Sequence, residues 1–177
     1  MKKILIIGAS NSITSINRSL ATFAGSLLSD TKKVVLDLND YEMPIYSPER
    51  ESSGGVPDLA QQLVQLIESS DGVILSLAEH NGSYSAAFKN ILDWASRHKQ
   101  KLWSEKAMLL LSTSPGQRGA STVLSAAEAT FPHLGAKVVT TFSLPSFHEN
   151  FSREEGVTDA ELLSQLKSAV TEFSKAL

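Results

Sequence analysis

Apolar residues along this chain fall into two alternating patterns. Short runs rich in Ile, Leu and Val occur at Lys3–Ile7, Lys33–Leu38, Gly72–Leu77, Ala107–Leu111 and Gly135–Thr141. Runs of this length predict strands, and their continuous apolar character predicts burial on both faces, as in a parallel sheet. Between them, apolar positions recur three or four residues apart. Leu20, Phe23, Ala24, Leu27 and Leu28 do so within Asn17–Ser29, and Leu59, Leu63, Leu66 and Ile67 do so after Pro57. That spacing predicts amphipathic helices, with Pro57 suited to a first helical position. Further helices are predicted over Tyr84–His98 and Ser121–Phe131, and from Thr158 to about Ala176. The last opens on Thr158-Asp159-Ala160-Glu161, the spacing of a capping box. Tyr41–Val56 contains Pro44, Pro48, Gly54 and Gly55 and reads as a long irregular connection, of the kind that is usually functional or mobile.

Five strands alternating with five helices predict an α/β protein, a parallel sheet covered on both sides. Right-handed crossovers restrict the topology. The expected architecture is a flavodoxin-like three-layer α/β/α sandwich, strand order 2-1-3-4-5, in a single domain over residues 1–177. No internal repeat or domain boundary is visible.

Composition narrows the function classes. The 177 residues are 42% hydrophobic and 20% charged, with net charge -3. This is an ordinary soluble composition, without the basic footprint of a nucleic-acid or anionic-membrane binder. The chain has no Cys, which excludes disulfides and a thiol nucleophile and is compatible with a reducing cytoplasm. The apolar run after Lys3 is too short for a signal peptide, and no segment approaches the roughly 18 apolar residues of a membrane span. A soluble cytoplasmic protein is expected. His133 and His148 lack carboxylate neighbours at ligand spacing, and G-x-S-x-G is absent, so neither a metal site nor a nucleophile elbow is predicted.

The chemistry falls to three loops that follow strands one, three and four and emerge at one sheet edge, the ligand crevice of a doubly wound sheet. The first, Gly8-Ala9-Ser10-Asn11-Ser12-Ile13-Thr14-Ser15-Ile16-Asn17-Arg18, places hydroxyls at a strand-to-helix turn. Free backbone N–H groups and the helix dipole favour an anion there. One Gly is too few for the dinucleotide fingerprint, and no Gly-Lys-Ser/Thr follows. Two readings stand at this turn: a hydroxyl-rich phosphate cradle, or simple capping of the helix by Ser15 or Asn17. The second loop is Glu79-His80-Asn81-Gly82-Ser83-Tyr84, followed by Lys89-Asn90-Ile91-Leu92-Asp93-Trp94 on a helix. The third is Ser112-Thr113-Ser114-Pro115-Gly116-Gln117-Arg118-Gly119-Ala120. Lys89, Asp93 and Arg97 lie four apart and read as a charge ladder on one helix face.

These three segments resemble the NAD(P)H-dependent FMN reductase family. Ser10, Ser15 and Asn17 match its first turn, G-S-x-R-x-x-S-x-N, with Ala9 for Gly and Ser12 where Arg is frequent. Glu79, Asn81, Gly82 and Ser83 match P-E-Y-N-G-S, with Ala78 for Pro and His80 for Tyr. Lys89, Asn90, Asp93 and Trp94 match the helix that follows, and the third loop matches S-x-S-P-G. The resemblance implies an FMN site of Ser10, Ser12, Ser15, Ile16, Asn17, Glu79, His80, Asn81, Gly82, Ser114, Pro115 and Gly116. It implies no catalytic side chain, because flavin N5 takes the hydride and the cofactor carries that chemistry. Hydride would come from NADPH or NADH and pass to a small acceptor such as a flavin or quinone. The missing Arg at position 12 implies weaker phosphate binding. Two readings stand for Arg118: a contact to a nucleotide phosphate or an anionic substrate, or a freely solvated side chain. A homodimer or homotetramer is also implied, with Tyr41–Gly55 and Ala87–Trp94 at the subunit interface. A flavodoxin-like electron carrier or regulatory flavin module without turnover is the alternative, as is a relative that has lost tight FMN binding.

Overall fold

In the computed structural model, which describes residues 1–177, five strands form one parallel sheet. They are β1 (Lys2–Ala9), β2 (Thr31–Leu36), β3 (Gly72–Leu77), β4 (Ala107–Thr113) and β5 (Lys137–Leu144). Their order is β2-β1-β3-β4-β5, and every neighbouring pair is parallel. Seven helices connect and cover the strands: α1 (Ile16–Ser26), α2 (Pro48–Gly54), α3 (Asp58–Glu68), α4 (Ala86–His98), α5 (Ser121–Thr130), α6 (Phe147–Asn150) and α7 (Ala160–Lys175). A two-stranded antiparallel hairpin, β6 (Phe151–Ser152) and β7 (Gly156–Val157), stands outside the sheet.

The two-residue period of a strand divides the sheet's side chains between two cores. Ile4, Ile6, Ile74, Leu109 and Leu111 pack with Leu20 and Ala24 of α1 and Leu166, Val170 and Phe173 of α7. Leu5, Ile7, Val73, Leu75, Met108 and Leu110 face the other way. There they meet Leu63 and Ile67 of α3, Phe88 and Ile91 of α4, and Val123 and Ala127 of α5. The result is the flavodoxin-like three-layer sandwich. Gly8 shows why α1 can start so close to the sheet. A Cβ there would lie 2.4 Å from the backbone N of Arg18, so only glycine lets the first turn of α1 rest on the end of β1.

The elements depart from the expected boundaries for local reasons. The second strand is Thr31–Leu36 rather than Lys33–Leu38, because Asp37 accepts the Asn39 N–H at 3.0 Å and starts a 3₁₀ turn over Leu38–Tyr41. The connection after it is not wholly irregular. Ser47 caps α2 by accepting from Arg50 N, and Pro48 occupies its first turn. Pro57 is the cap of α3 and not its first helical residue. Tyr84 lies outside α4, whose cap is Ser85. The final helix is capped by Asp159, whose Oδ1 accepts from Leu162 N at 2.9 Å, so the Thr158 capping box does not form. β5 starts later than Gly135, because Gly135 (φ 83) closes the turn before it, and runs past Thr141 to Leu144, paired with β4 as far as Thr113. α2, α6 and the hairpin had no counterpart among the expected elements.

Candidate functional site

The loop after β1 leads into α1 with two of its amides free. Ser15 N donates to Ser12 O, and Ser15 Oγ accepts from Arg18 N at 3.1 Å, which makes Ser15 the helix cap. The N–H groups of Ile16 and Asn17 have no acceptor in the protein, as expected at a helix start. Ser10, Ser12 and Thr14 surround this end with hydroxyls; Ser10 Oγ accepts from Ser12 N, and Ser12 Oγ from Thr14 N. The Asn17 side-chain amide is taken up within the protein. Only 2% exposed, it donates to Thr113 O and accepts from Thr113 N, both at 3.2 Å, and from Ser76 Oγ at 2.7 Å. One buried amide thus ties α1 to the ends of β3 and β4, leaving its backbone N–H for an anion.

Arg18 does not reach this end. Its guanidinium lies 2.5 Å from Asp37 Oδ2 and donates to Ile13 O at 2.8 Å. The Asn39 backbone N–H, then the Asn39 side chain, hold the Asp37 carboxyl below the usual carboxylate range; Arg18 acts in the same direction.

The loop after β3 is a tight hairpin turn. His80 N donates to Ser83 O at 2.8 Å and Ser83 N to His80 O at 3.1 Å, with Asn81 at φ 53 and Gly82 at φ 76. Positive φ at both central positions is the reason an Asn-Gly pair sits there. Glu79, beside the turn, accepts the Val123 N–H at 3.0 Å. It serves α5, whose own cap residue Ala120 has no side-chain acceptor. Ser85 secures the far end of the loop, donating to Ala9 O at 2.9 Å while accepting from Phe88 N. The loop after β4 is laced to the chain after β5: Thr113 Oγ1 donates to Leu144 O, Phe147 N to Ser114 O and Ser146 N to Gly116 O.

These loops enclose a cavity of about 520 Å³ at the carboxyl edge of the sheet. Nine of the twelve expected site residues line it: Ser10, Ser12, Ser15, Ile16 and Asn17 from the first loop, Glu79 and His80 from the second, and Ser114 and Pro115 from the third. Asn81 and Gly82 do not, because the turn carries them outward into open space. Gly116 is also exposed and off the wall. Arg118 is exposed and does not line it either. The wall includes four residues that sequence reasoning missed, Phe147, His148, Phe151 and Arg153. They come from α6 and the β6–β7 hairpin, elements too short for any periodicity to reveal. Cluster-scale signals existed only in the polar Glu149-Asn150 and charged Arg153-Glu154-Glu155 interruptions.

The motif helix serves the long connection rather than the cavity. Asn90 Nδ2 donates to Met43 O and Pro44 O, and Asn90 Oδ1 accepts from Tyr46 N. Trp94 Nε1 donates to Pro44 O at 2.7 Å, and the Tyr46 ring meets Trp94 edge-on at 5.0 Å. The expected ladder is half formed: Lys89 pairs with Asp93 at 2.7 Å, whereas Arg97 pairs with Glu51 of α2 at 2.9 Å.

The residues of the cavity fit FMN on chemical grounds. One end presents free helix-start amides and hydroxyls with no carboxylate among them, and the wall's one carboxylate, Glu79, is already engaged. The volume falls within the roughly 300–1,000 Å³ of small-molecule sites. Residues 2–149 match the model of the family described as NADPH-dependent FMN reductase. The chain belongs to that family. It is an NAD(P)H-dependent flavin oxidoreductase with FMN as cofactor. Among relatives, a 2-hydroxy-1,4-benzoquinone reductase of Burkholderia sp. is 33% identical over 125 residues, covering 70% of this chain and 66% of that protein. An uncharacterized protein of Mycoplasma pneumoniae is 28% identical over 91% of this chain and 98% of its own. Among solved structures, the flavoenzyme NAD(P)H:(acceptor) oxidoreductase FerB of Paracoccus denitrificans superposes with a TM-score of 0.78 at 26% identity, over 99% of this chain and 97% of that one. No helix is long and apolar enough to cross a membrane.

Proposed function

We propose that the chain holds FMN along the cavity, phosphate at the first loop and ring between the second and third, and reduces a small quinone or flavin. The carrying observation is the pairing of two unpartnered helix-start amides, Ile16 and Asn17, with a hydroxyl-lined wall of a cavity large enough for a flavin. The amides of Ile16 and Asn17 and the hydroxyls of Ser10, Ser12, Thr14 and Ser15 bind phosphate oxygens. Ser15 does so by its O–H, because its oxygen already accepts from Arg18 N. Glu79, His80, Ser114 and Pro115 flank the ring, orienting it and excluding water from one side. Bound FMN supplies the hydride chemistry, accepting from NAD(P)H and delivering to the acceptor. No side chain on the wall is required as a proton donor, so the protein's part is to bind and orient.

The exposed end at His80 and Pro115 leaves room for a flat acceptor and for the nicotinamide in turn, which supports a broad preference among quinones and flavins. Ile45 is 76% exposed on the connection that α4 clamps, beside Ala86 and Ala87. This supports a homodimer through that face, working in the cytoplasm, where a chain without Cys loses nothing to reduction.

The test is direct. The protein is titrated with FMN by fluorescence quenching, and then NADPH and NADH oxidation are followed with benzoquinone, with free FMN and without acceptor. Saturable FMN binding and acceptor-dependent nucleotide oxidation are expected. FMN binding without turnover would reduce the chain to an electron carrier, and no binding would end the reading. Sedimentation of wild type and Ile45→Asp checks the dimer; equal masses at the monomer value would remove it.

A further inference from the structure

The one cation of the first loop, Arg18, is occupied by Asp37 and Ile13 O and does not reach the hydroxyls. A phosphate bound by amides and hydroxyls alone would keep much of its charge uncompensated in the cavity. The structure offers a counter-charge from an unexpected direction. Arg153 sits on the turn of the β6–β7 hairpin and lines the cavity with Ser10, Ser12, Thr14 and Ser15. It is the only Lys or Arg on that wall. Its guanidinium takes part in no ion pair and donates no hydrogen bond within the protein, and the wall's one carboxylate, Glu79, is held by Val123 N.

The hairpin holds this arginine beside α1. Phe151 meets Phe23 of α1 edge-on at 5.8 Å and stacks on Phe147 at 4.6 Å. Gly156, at φ 77, lies so tightly on Phe23 that a Cβ would fall 2.0 Å from its ring. Ser152 Oγ accepts from Glu155 N at 3.0 Å, closing the turn. Arg153 also borders a second, contiguous cavity of about 630 Å³, which shares Thr14, Ser15, Ser19 and Phe151 with the first. This places it at the α1 end and not at the His80 end. Glu154 borders the second cavity but not the first.

We infer that Arg153 binds the phosphate of FMN, supplying from the C-terminal hairpin the positive charge that Arg18 of the first loop does not bring there. This rests on the FMN reading above. The residue lies beyond residues 2–149, the span matched to the family, so the family match assigns it no role. A planar guanidinium also suits a phosphate better than an ammonium, because it donates two parallel hydrogen bonds.

The experiment compares FMN with riboflavin, which is the same ring and chain without the phosphate. Affinities of both are measured by flavin fluorescence quenching for wild type, Arg153→Ala and Arg153→Lys, at low and at physiological salt. Arg153→Ala is expected to weaken FMN about tenfold or more and riboflavin less than about twofold. Arg153→Lys is expected to fall between, and the FMN-to-riboflavin ratio of wild type to shrink with salt more steeply than that of Arg153→Ala. Thermal melting without flavin, expected unchanged for a substitution on an exposed turn, guards against unfolding. Equal losses for both flavins, or no loss for either, would overturn the assignment. Wild type that binds FMN while Arg153→Ala binds it equally well removes this inference alone; wild type that ignores FMN removes the parent reading and this one together.

Discussion

The two ends of the cavity are built differently. At the first-loop end, Ser15, Asn17, Ser76 and Thr113 are all buried, and Asn17 alone joins three elements through three hydrogen bonds. At the other end, the wall residues His80 and Pro115 are exposed, and the turn that follows His80 is closed by its own two backbone bonds. A buried polar network admits one arrangement, since every alternative strands a donor or acceptor. An exposed turn tolerates several. The anchoring end is therefore suited to one ligand group, and the open end to many partners of one shape.

The sharpest attack on this contrast is Asn17→Ala. It strands the Ser76 hydroxyl and both backbone groups of Thr113 in a site 2% exposed. A loss of about 2–4 kcal/mol in urea unfolding is expected; a loss below about 0.5 kcal/mol would show that the bracket carries nothing. Ser85→Ala removes both a helix cap and the bond to Ala9 O, and is expected to cost about 1–2 kcal/mol in the same assay. Glu79→Ala is expected to cost about 1 kcal/mol by uncapping α5, and Glu79→Gln about half as much, since the amide oxygen still accepts from Val123 N.

Asp37 gives the contrast a pH dependence. Its folded pKa is lowered, so its contribution to stability is complete above the unfolded value, about 4. That contribution is lost as pH falls through the folded value. Wild type should therefore lose stability below about pH 4 more steeply than Asp37→Asn; parallel urea midpoints from pH 6 to 3 would refute this. Least of all should stability respond at the open end. His80→Ser is expected to change unfolding by no more than about 0.5 kcal/mol and FMN affinity by less than about twofold, while acceptor KM shifts. A tenfold fall in FMN affinity would erase the contrast.

The large pattern was readable because it rests on burial. Ile4–Ile7, Val73–Leu77 and Met108–Leu111 are buried on both faces of the sheet, and continuous apolar runs report that directly. Crossover handedness only narrows the strand orders; 2-1-3-4-5 is the flavodoxin-like choice among them. Boundaries set by a single side chain were less readable: Asp37 ends β2 and Asp159 displaces Thr158 as a cap, choices between polar neighbours of similar competence. Nine of the expected site residues meet at the cavity because loops after adjacent strands must converge. Arg153 and Phe151 escaped, since a hairpin of two-residue strands leaves no periodic trace. Asn17 was legible as a site residue but not as a bracket. Its partners Ser76 and Thr113 lie 59 and 96 residues away.

The bond from Glu79 to Val123 has a practical outcome. A single carboxylate oxygen couples the second loop to the first turn of a helix reached only after another strand. Any occupant that draws Glu79 inward must release the Val123 amide, so that proton becomes a built-in gauge of occupancy, readable in an NMR titration without a label near the crevice.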